Sequence, residues 1–165
     1  MQKILIIGCG RVANHYKYLS KDIFSKKNKV IAVCDSDKNK AQSFGNFFNC
    51  NWFINYEEAI AKKKPNLIIV LTPSGSHYKI AMNCLKRKIN TVVEKPMAMT
   101  IRECKKLINY SKNNNLFFGT IYQNRFNPSV VYMKNLIDKG VFGKIITANV
   151  RLRWARYQDY YEDGW

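Results

Sequence analysis

Two glycines and an aspartate carry the first chemistry legible in this chain. In "LIIGCGRVANHY", Gly8, Gly10 and Ala13 form a G-x-G-x-x-A pattern between an apolar run and a segment of helical character. Glycines at such a junction permit a tight turn and let backbone N–H groups approach a pyrophosphate, which the free donors and dipole of a helix start attract. Gly8, Gly10, Arg11, Val12 and Ala13 are therefore the candidate cradle of a dinucleotide. Asp35 ends the next apolar run, "KVIAVCD", at the spacing of about 20 residues expected of the ribose-binding acid. It would accept hydrogen bonds from ribose hydroxyls and repel a 2′-phosphate, which favours NAD over NADP. Lys38 and Lys40 are the residues that could neutralise such a phosphate instead.

Two further apolar runs end in polar groups. "LTPSGSHY" offers Thr72, Pro73, Ser74 and His77, and "TVVEKPMAMT" seats Glu94 and Lys95 just ahead of Pro96. A surface strand can end in a charged pair with no function, so Glu94 and Lys95 alone decide nothing. His77, at a helix start, reads equally as a cap or packing residue and as part of a site. His15, inside the first helix, reads as packing.

The elements that must position these groups follow from periodicity. Strand-length apolar runs alternate with helical segments: "KILIIG" then "VANHYKYLS", "KVIAVCD" then "KNKAQSFGNFF", "WFI" then "YEEAIAKK", "NLIIVLT" then "HYKIAMNCLKRK", "NTVVEKP" then "TIRECKKLINYSKNN", and last "LFFGTIY". Continuous apolar strands alternating with helices predict βαβ units and a parallel sheet covered on both faces. The expected fold is α/β, a Rossmann-type doubly wound parallel sheet. Thr100 with Glu103 spells a capping box, and Pro65 stops a helix before "NLIIV". In open α/β sheets ligands bind outside the carboxyl ends of the strands, so the glycine turn, Asp35, the Thr72–His77 loop and the Glu94–Lys95 turn should share one crevice.

After Thr120 the character changes. "YQNRFNP" reads as a polar, aromatic loop, "SVVYMKNLIDKGVFG" as an amphipathic helix stopped by glycines, and "KIITANVRLRW" as a strand with Ile146, Ala148, Val150 and Leu152 on one face. Such alternation suits an antiparallel sheet covered on one side. The expected division is a dinucleotide-binding domain over 1–120 and the start of an antiparallel α+β substrate domain, incomplete, over 121–165.

Composition excludes several classes. At 165 residues the chain has room for one domain and part of a second. Its longest apolar run, "LIIVL", is far below the roughly 20 residues of a membrane span, and the start reads as a strand, not a signal peptide. The five cysteines show no CxxC pair and no metal-ligand spacing, and an odd count suits a reducing compartment. The expectation is a cytoplasmic protein with no metal and no membrane partner. The net charge of +17 raises the question of nucleic acid. The lysines are nevertheless dispersed among asparagines, as in "KKNK" and "SKNNN", and form no binding stripe.

Taken in order, "GCGRVANHY", "VCDSD", "TPSGSHY", "VVEKPMAMT" and "YQNRFNP" resemble the glucose–fructose oxidoreductase and inositol dehydrogenase (Gfo/Idh/MocA) family. "RFNPSVVYMKNLIDKGVFGKI" and "RLRWARYQDYYEDGW" are similar to its branch that oxidises the 3-hydroxyl of UDP-linked N-acetylated hexuronic acids for surface-polysaccharide synthesis. The resemblance implies an NAD-linked oxidoreductase acting on a sugar or UDP-sugar, and a homo-oligomer when full length. It places Lys95 as the catalytic residue, close to both nicotinamide and substrate hydroxyl, with Glu94 positioning it and Pro96 fixing the loop. Thr72, Pro73, Ser74, His77, Glu94, Lys95 and Gln123 would line the cofactor, and Asn124, Arg125 and Arg153 the substrate. Arg156, with Trp154 and Tyr160, would assist them. In the family an Asp–His pair in the substrate domain joins the lysine, yet here His15 and His77 are the only histidines and both precede Lys95. The resemblance thus implies that these 165 residues bind NAD and are nearly inactive alone, with the part after about Lys144 mobile or paired with another copy. Two other classes stay open: a dinucleotide-binding module without turnover, and a basic nucleic-acid binder.

Overall fold

A computed structural model describes residues 1–18 and 28–162, with the side chains of Asp159 and Tyr160 outside that description. In chain order the elements are β1 (Gln2–Ile7), α1 (Arg11–Tyr18), β2 (Asn28–Cys34), α2 (Lys38–Phe48), β3 (Asn51–Phe53), α3 (Tyr56–Lys63) and β4 (Leu67–Val70). A 3₁₀ turn (Ser74–Ser76) leads into α4 (His77–Lys86), followed by β5 (Asn90–Glu94), α5 (Ile101–Asn113) and β6 (Phe118–Ile121). Leu19 and Ser20, expected in the first helix, lie outside the described residues.

The strands form one six-stranded sheet in the order β3-β2-β1-β4-β5-β6. All five pairings are parallel. The order reverses beside β1, whose neighbours are β2 and β4, and that is where an open sheet parts its loops to leave a crevice. Side-chain alternation along each strand supplies two cores. Leu5, Ile7, Ile68 and Val70 face one way and pack with Ala59 and Ile60 of α3 and Ile80 and Cys84 of α4. Ile4, Ile6, Val33 and Ile69 face the other way, with Ala13 of α1 and Phe44 of α2. A third cluster joins α4 to α5 through Ala81, Leu85 and Leu107. Each fully buried Leu or Ile stabilises the fold by about 1.5–3 kcal/mol, so helix cover on both faces dominates the energetics.

Local signals terminate the helices. Asp37 caps α2 by accepting from the Asn39 and Lys40 amides at 2.9 and 3.2 Å, and Asn55 does the same for α3. The Thr100–Glu103 capping box is formed in both directions. Lys64, left-handed at φ 47°, closes α3 directly before Pro65.

The chain divides into two compact units, Met1–Ile121 and Tyr122–Trp165. The second holds a 3₁₀ turn (Gln123–Phe126), α6 (Pro128–Asp138), begun by its proline, and a short α7 (Asp159–Glu162). The strand expected in "KIITANVRLRW" is not formed: residues 145–157 are irregular, and Ile146 and Val150 are almost fully exposed. An extended segment with no neighbour to pair with leaves its N–H and C=O groups to water, and alternation of side chains cannot compensate.

Candidate functional site

The groups singled out at the strand ends meet at the carboxyl edge of four adjacent strands, β2, β1, β4 and β5. Gly8 follows β1 directly and adopts φ +98°, where a side chain is strained. A Cβ there would also lie 2.6 Å from the Leu71 carbonyl carbon and 2.7 Å from the Thr72 nitrogen. Gly8 is thus demanded by the approach of the β4 backbone as well as by the turn. Gly10 is different: a Cβ built on it meets nothing within 4 Å, so the space on that side of its Cα is open. Arg11 and Val12 are exposed at the first turn of α1, while Ala13 is buried beneath it.

Asp35 is held rigidly at this turn. One carboxylate oxygen accepts from the Cys9 amide at 2.7 Å, and the other accepts from the Asp37 amide at 2.9 Å. Each oxygen retains a lone pair for a further donor. Cys9 and Cys34 flank it, and burial, reinforced by the Asp35 charge, pushes both thiols up to about 12. They stay uncharged at neutral pH and supply no nucleophile.

Past β4, the Ser76 hydroxyl lies 2.7 Å from both the Thr72 Oγ1 and the Pro73 carbonyl oxygen, which tightens the Thr72–Ser76 turn. Sequence alone leaves His77 between packing and site. The structure buries its ring to 1% exposure, with Nδ1 2.7 Å from the Pro96 carbonyl oxygen and Nε2 2.6 Å from that of Thr72. It joins two loops of the crevice from within the protein. Past β5, Glu94 is buried and accepts from the Lys95 amide at 2.8 Å, while Lys95 itself is exposed and the Lys95–Pro96 peptide is cis. Tyr16 of α1 was not anticipated. Burial, and then the Glu94 charge, push its hydroxyl up to about 12. Its place three residues after Ala13, on the inner side of α1, was the available signal.

In the second unit Gln123, Asn124 and Arg125 share the 3₁₀ turn and are exposed. Arg153 is exposed on the irregular segment. Arg156 stacks on Trp154, its guanidinium carbon 4.9 Å from the ring centroid. The expected neighbourhood of Tyr160 lies outside the described side chains.

Residues 2–122 match the model of the GFO_IDH_MocA oxidoreductase family, NAD-binding Rossmann fold. The chain belongs to this family. Its match to "Oxidoreductase P35" of Formosa agariphila is 29% identical, over 92% of this chain and 47% of the relative. The inositol 2-dehydrogenase/D-chiro-inositol 3-dehydrogenase of Lactiplantibacillus plantarum is 27% identical, over 90% of this chain and 43% of that one. Among solved structures, the WlbA dehydrogenase of Chromobacterium violaceum, in complex with NADH and UDP-GlcNAcA, shares the fold with a TM-score of 0.93. That pair is 24% identical, over 99% of this chain and 47% of the other. The chain therefore spans about half the length of the curated relatives it matches. Among the described residues no helix is long and apolar enough to cross a membrane.

The glycine turn and Asp35 fit the cofactor that the family model names. Open space at Gly10 leaves room for a pyrophosphate against the amides at the start of α1, and a carboxylate anchored to two amides is preset to receive ribose hydroxyls.

Proposed function

We propose that this chain is the cofactor-binding part of an NAD-dependent oxidoreductase that moves a hydride between the hydroxyl-bearing carbon of a sugar or nucleotide sugar and nicotinamide. The observation that carries the reading is the anchored Asp35 carboxylate beside the open Gly10 turn, on the same sheet edge as Lys95. The relatives support the substrate class, being named for inositol or solved with a UDP-linked sugar acid. By the same reading the product serves surface-polysaccharide sugar synthesis, in the cytoplasm, through a homo-oligomer that engages neither nucleic acid nor membrane.

NAD, when bound, supplies the hydride acceptor. Gly8 to Ala13 face its pyrophosphate, Asp35 its ribose, and Thr72, Pro73, Ser74, Glu94 and Lys95 complete its enclosure in this reading. A second negative charge beside Asp35 would be repelled, which makes NADP the disfavoured cofactor; Lys40 lies 3.7 Å from the Asp37 carboxylate, whose charge it faces. Lys95 serves proton transfer: as the carbon–hydrogen bond breaks, its amine takes the hydroxyl proton or holds the developing alkoxide. Glu94 fixes the Lys95 backbone by its 2.8 Å hydrogen bond. Asn124, Arg125 and Arg153 meet the substrate, the arginines through the planar fork that suits a carboxylate or phosphate.

Two measurements test this. Titration of the chain should show NAD binding tighter than NADP, with the preference erased in Asp35→Ala; equal affinity of the wild type for both would overturn the cofactor assignment. NADH formation from a UDP-linked N-acetylated hexuronic acid, assayed with the longest polypeptide that carries this chain, should fall by about 10²-fold or more in Lys95→Ala. NAD binding with no turnover in either form would reduce the protein to a dinucleotide-binding module.

A further inference from the structure

His77 has more hydrogen-bond acceptors around it than a neutral ring can serve. Both of its nitrogens face backbone carbonyl oxygens, Pro96 at 2.7 Å and Thr72 at 2.6 Å, and a carbonyl oxygen has no hydrogen to give. Each contact is a hydrogen bond only if the ring nitrogen donates. A neutral imidazole carries one N–H, so its other nitrogen would press a lone pair against an oxygen lone pair at the same separation. Turning the ring over offers no relief. It would bring C–H groups to distances well inside the roughly 3.3–3.6 Å of a C–H···O contact. Two N–H donors would make hydrogen bonds of both short contacts, at 2.7 and 2.6 Å.

We propose that His77 is a doubly donating clasp, an imidazolium whose two N–H groups tie the Thr72 carbonyl at the end of β4 to the Pro96 carbonyl beside Lys95. The ring is sealed from solvent at 1% exposure, and both nitrogens are spent on backbone. His77 is therefore a positioning residue. It acts on Lys95 through the peptide that follows it, complementing the Glu94 carboxylate that holds the Lys95 amide from the other side. Thr72 is also gripped by Ser76, so the clasp links Lys95 to an already rigid turn. This role in the reaction rests on the reading of Lys95 as the proton-transfer residue. The clasp itself does not.

The test uses the whole chain labelled with ¹⁵N in its histidine rings. At neutral pH the His77 resonances, assigned by their loss in His77→Phe, should show hydrogens on both nitrogens with slow exchange. A single N–H with one bare nitrogen would overturn the clasp, and this measurement on the wild type stands even if the variant does not fold. For the positioning role, hydrogen exchange in a folded His77→Phe should speed up at least tenfold at the Lys95 amide and in the Thr72–Ser76 turn, while β1 and β4 amides stay protected. Unchanged exchange at Lys95, or acceleration spread evenly over the sheet, would reduce His77 to a packing residue. A wild type that shows both ring hydrogens but binds no NAD would leave the clasp standing and remove the cofactor reading.

Discussion

The units Met1–Ile121 and Tyr122–Trp165 are built from similar residue types and reach opposite outcomes. In the first, Leu5, Ile6, Ile68 and Val93 are fully buried because each strand has hydrogen-bonded neighbours and a helix over each face. In the second, none of the described residues is buried: Tyr132, Met133, Ile146, Val150, Leu152 and Trp154 all lie exposed. Apolar content does not by itself make a core. What the first unit has and the second lacks is a sheet whose backbone partners are satisfied, so that side chains can be removed from water without stranding polar groups.

Substitutions can break or sharpen that contrast. The largest effect is expected for Gly8→Ala, where a side chain would collide with the Leu71 backbone at a positive φ. The folded protein should be lost, read as missing cooperative melting, whereas Gly10→Ala should melt like the wild type and lose NAD affinity. Loss of the fold in both would mean that the glycine turn is structural throughout. Next, Leu5→Ala in the first unit should cost about 2–5 kcal/mol by denaturant titration. Ile146→Ala in the second should stay within about 0.5 kcal/mol, and comparable costs would erase the distinction between the units.

All five cysteines lie in the first unit, so the alkaline dependence that buried thiols bring belongs to it. Burial pushes the Cys84 thiol from its ordinary 9.0 up to about 12. Above pH 9 the unfolded thiol ionises while the folded one keeps its proton, so the contribution of Cys84 to stability is full below about 9 and is lost progressively toward about 12. The slope approaches 1.4 kcal/mol per pH unit, about the limit for one such group. Burial raises Cys9 and Cys34 to about 12 and Cys50 to about 11 as well, so Cys84→Ala should remove only its own share of the slope measured by urea unfolding, and an unchanged slope would count against the buried thiol. The smallest effect belongs to Thr100→Ala, which removes the α5 capping box at a cost of about 1 kcal/mol in the same assay.

Much of the first unit was legible in the sequence because its signals are local. Strand and helix periods, the Thr100–Glu103 box and the stop at Pro65 depend on residues within a few positions of each other, and among the described residues of this unit they appear where the patterns placed them. The glycine pattern with Asp35 reads correctly for the same reason, since two adjacent βα units bring them together at the Cys9 amide. Alternation misled at "KIITANVRLRW", because a period of two records which side chains could share a face and not whether a partner strand exists.

The sequence by itself determined the alternating elements of the first unit and the family to which the chain belongs. Tertiary structure alone decided the strand order, the backbone of Leu71 that forbids a side chain at Gly8, the Tyr16 hydroxyl within reach of the Glu94 charge, and the two carbonyls on His77. Apart from the contact between His77 and Thr72, five residues apart, each of these joins groups distant in the chain, and their separation is closed only when the sheet assembles. Local patterning specifies what a segment can become; which atoms it then meets is set by the packing of the whole.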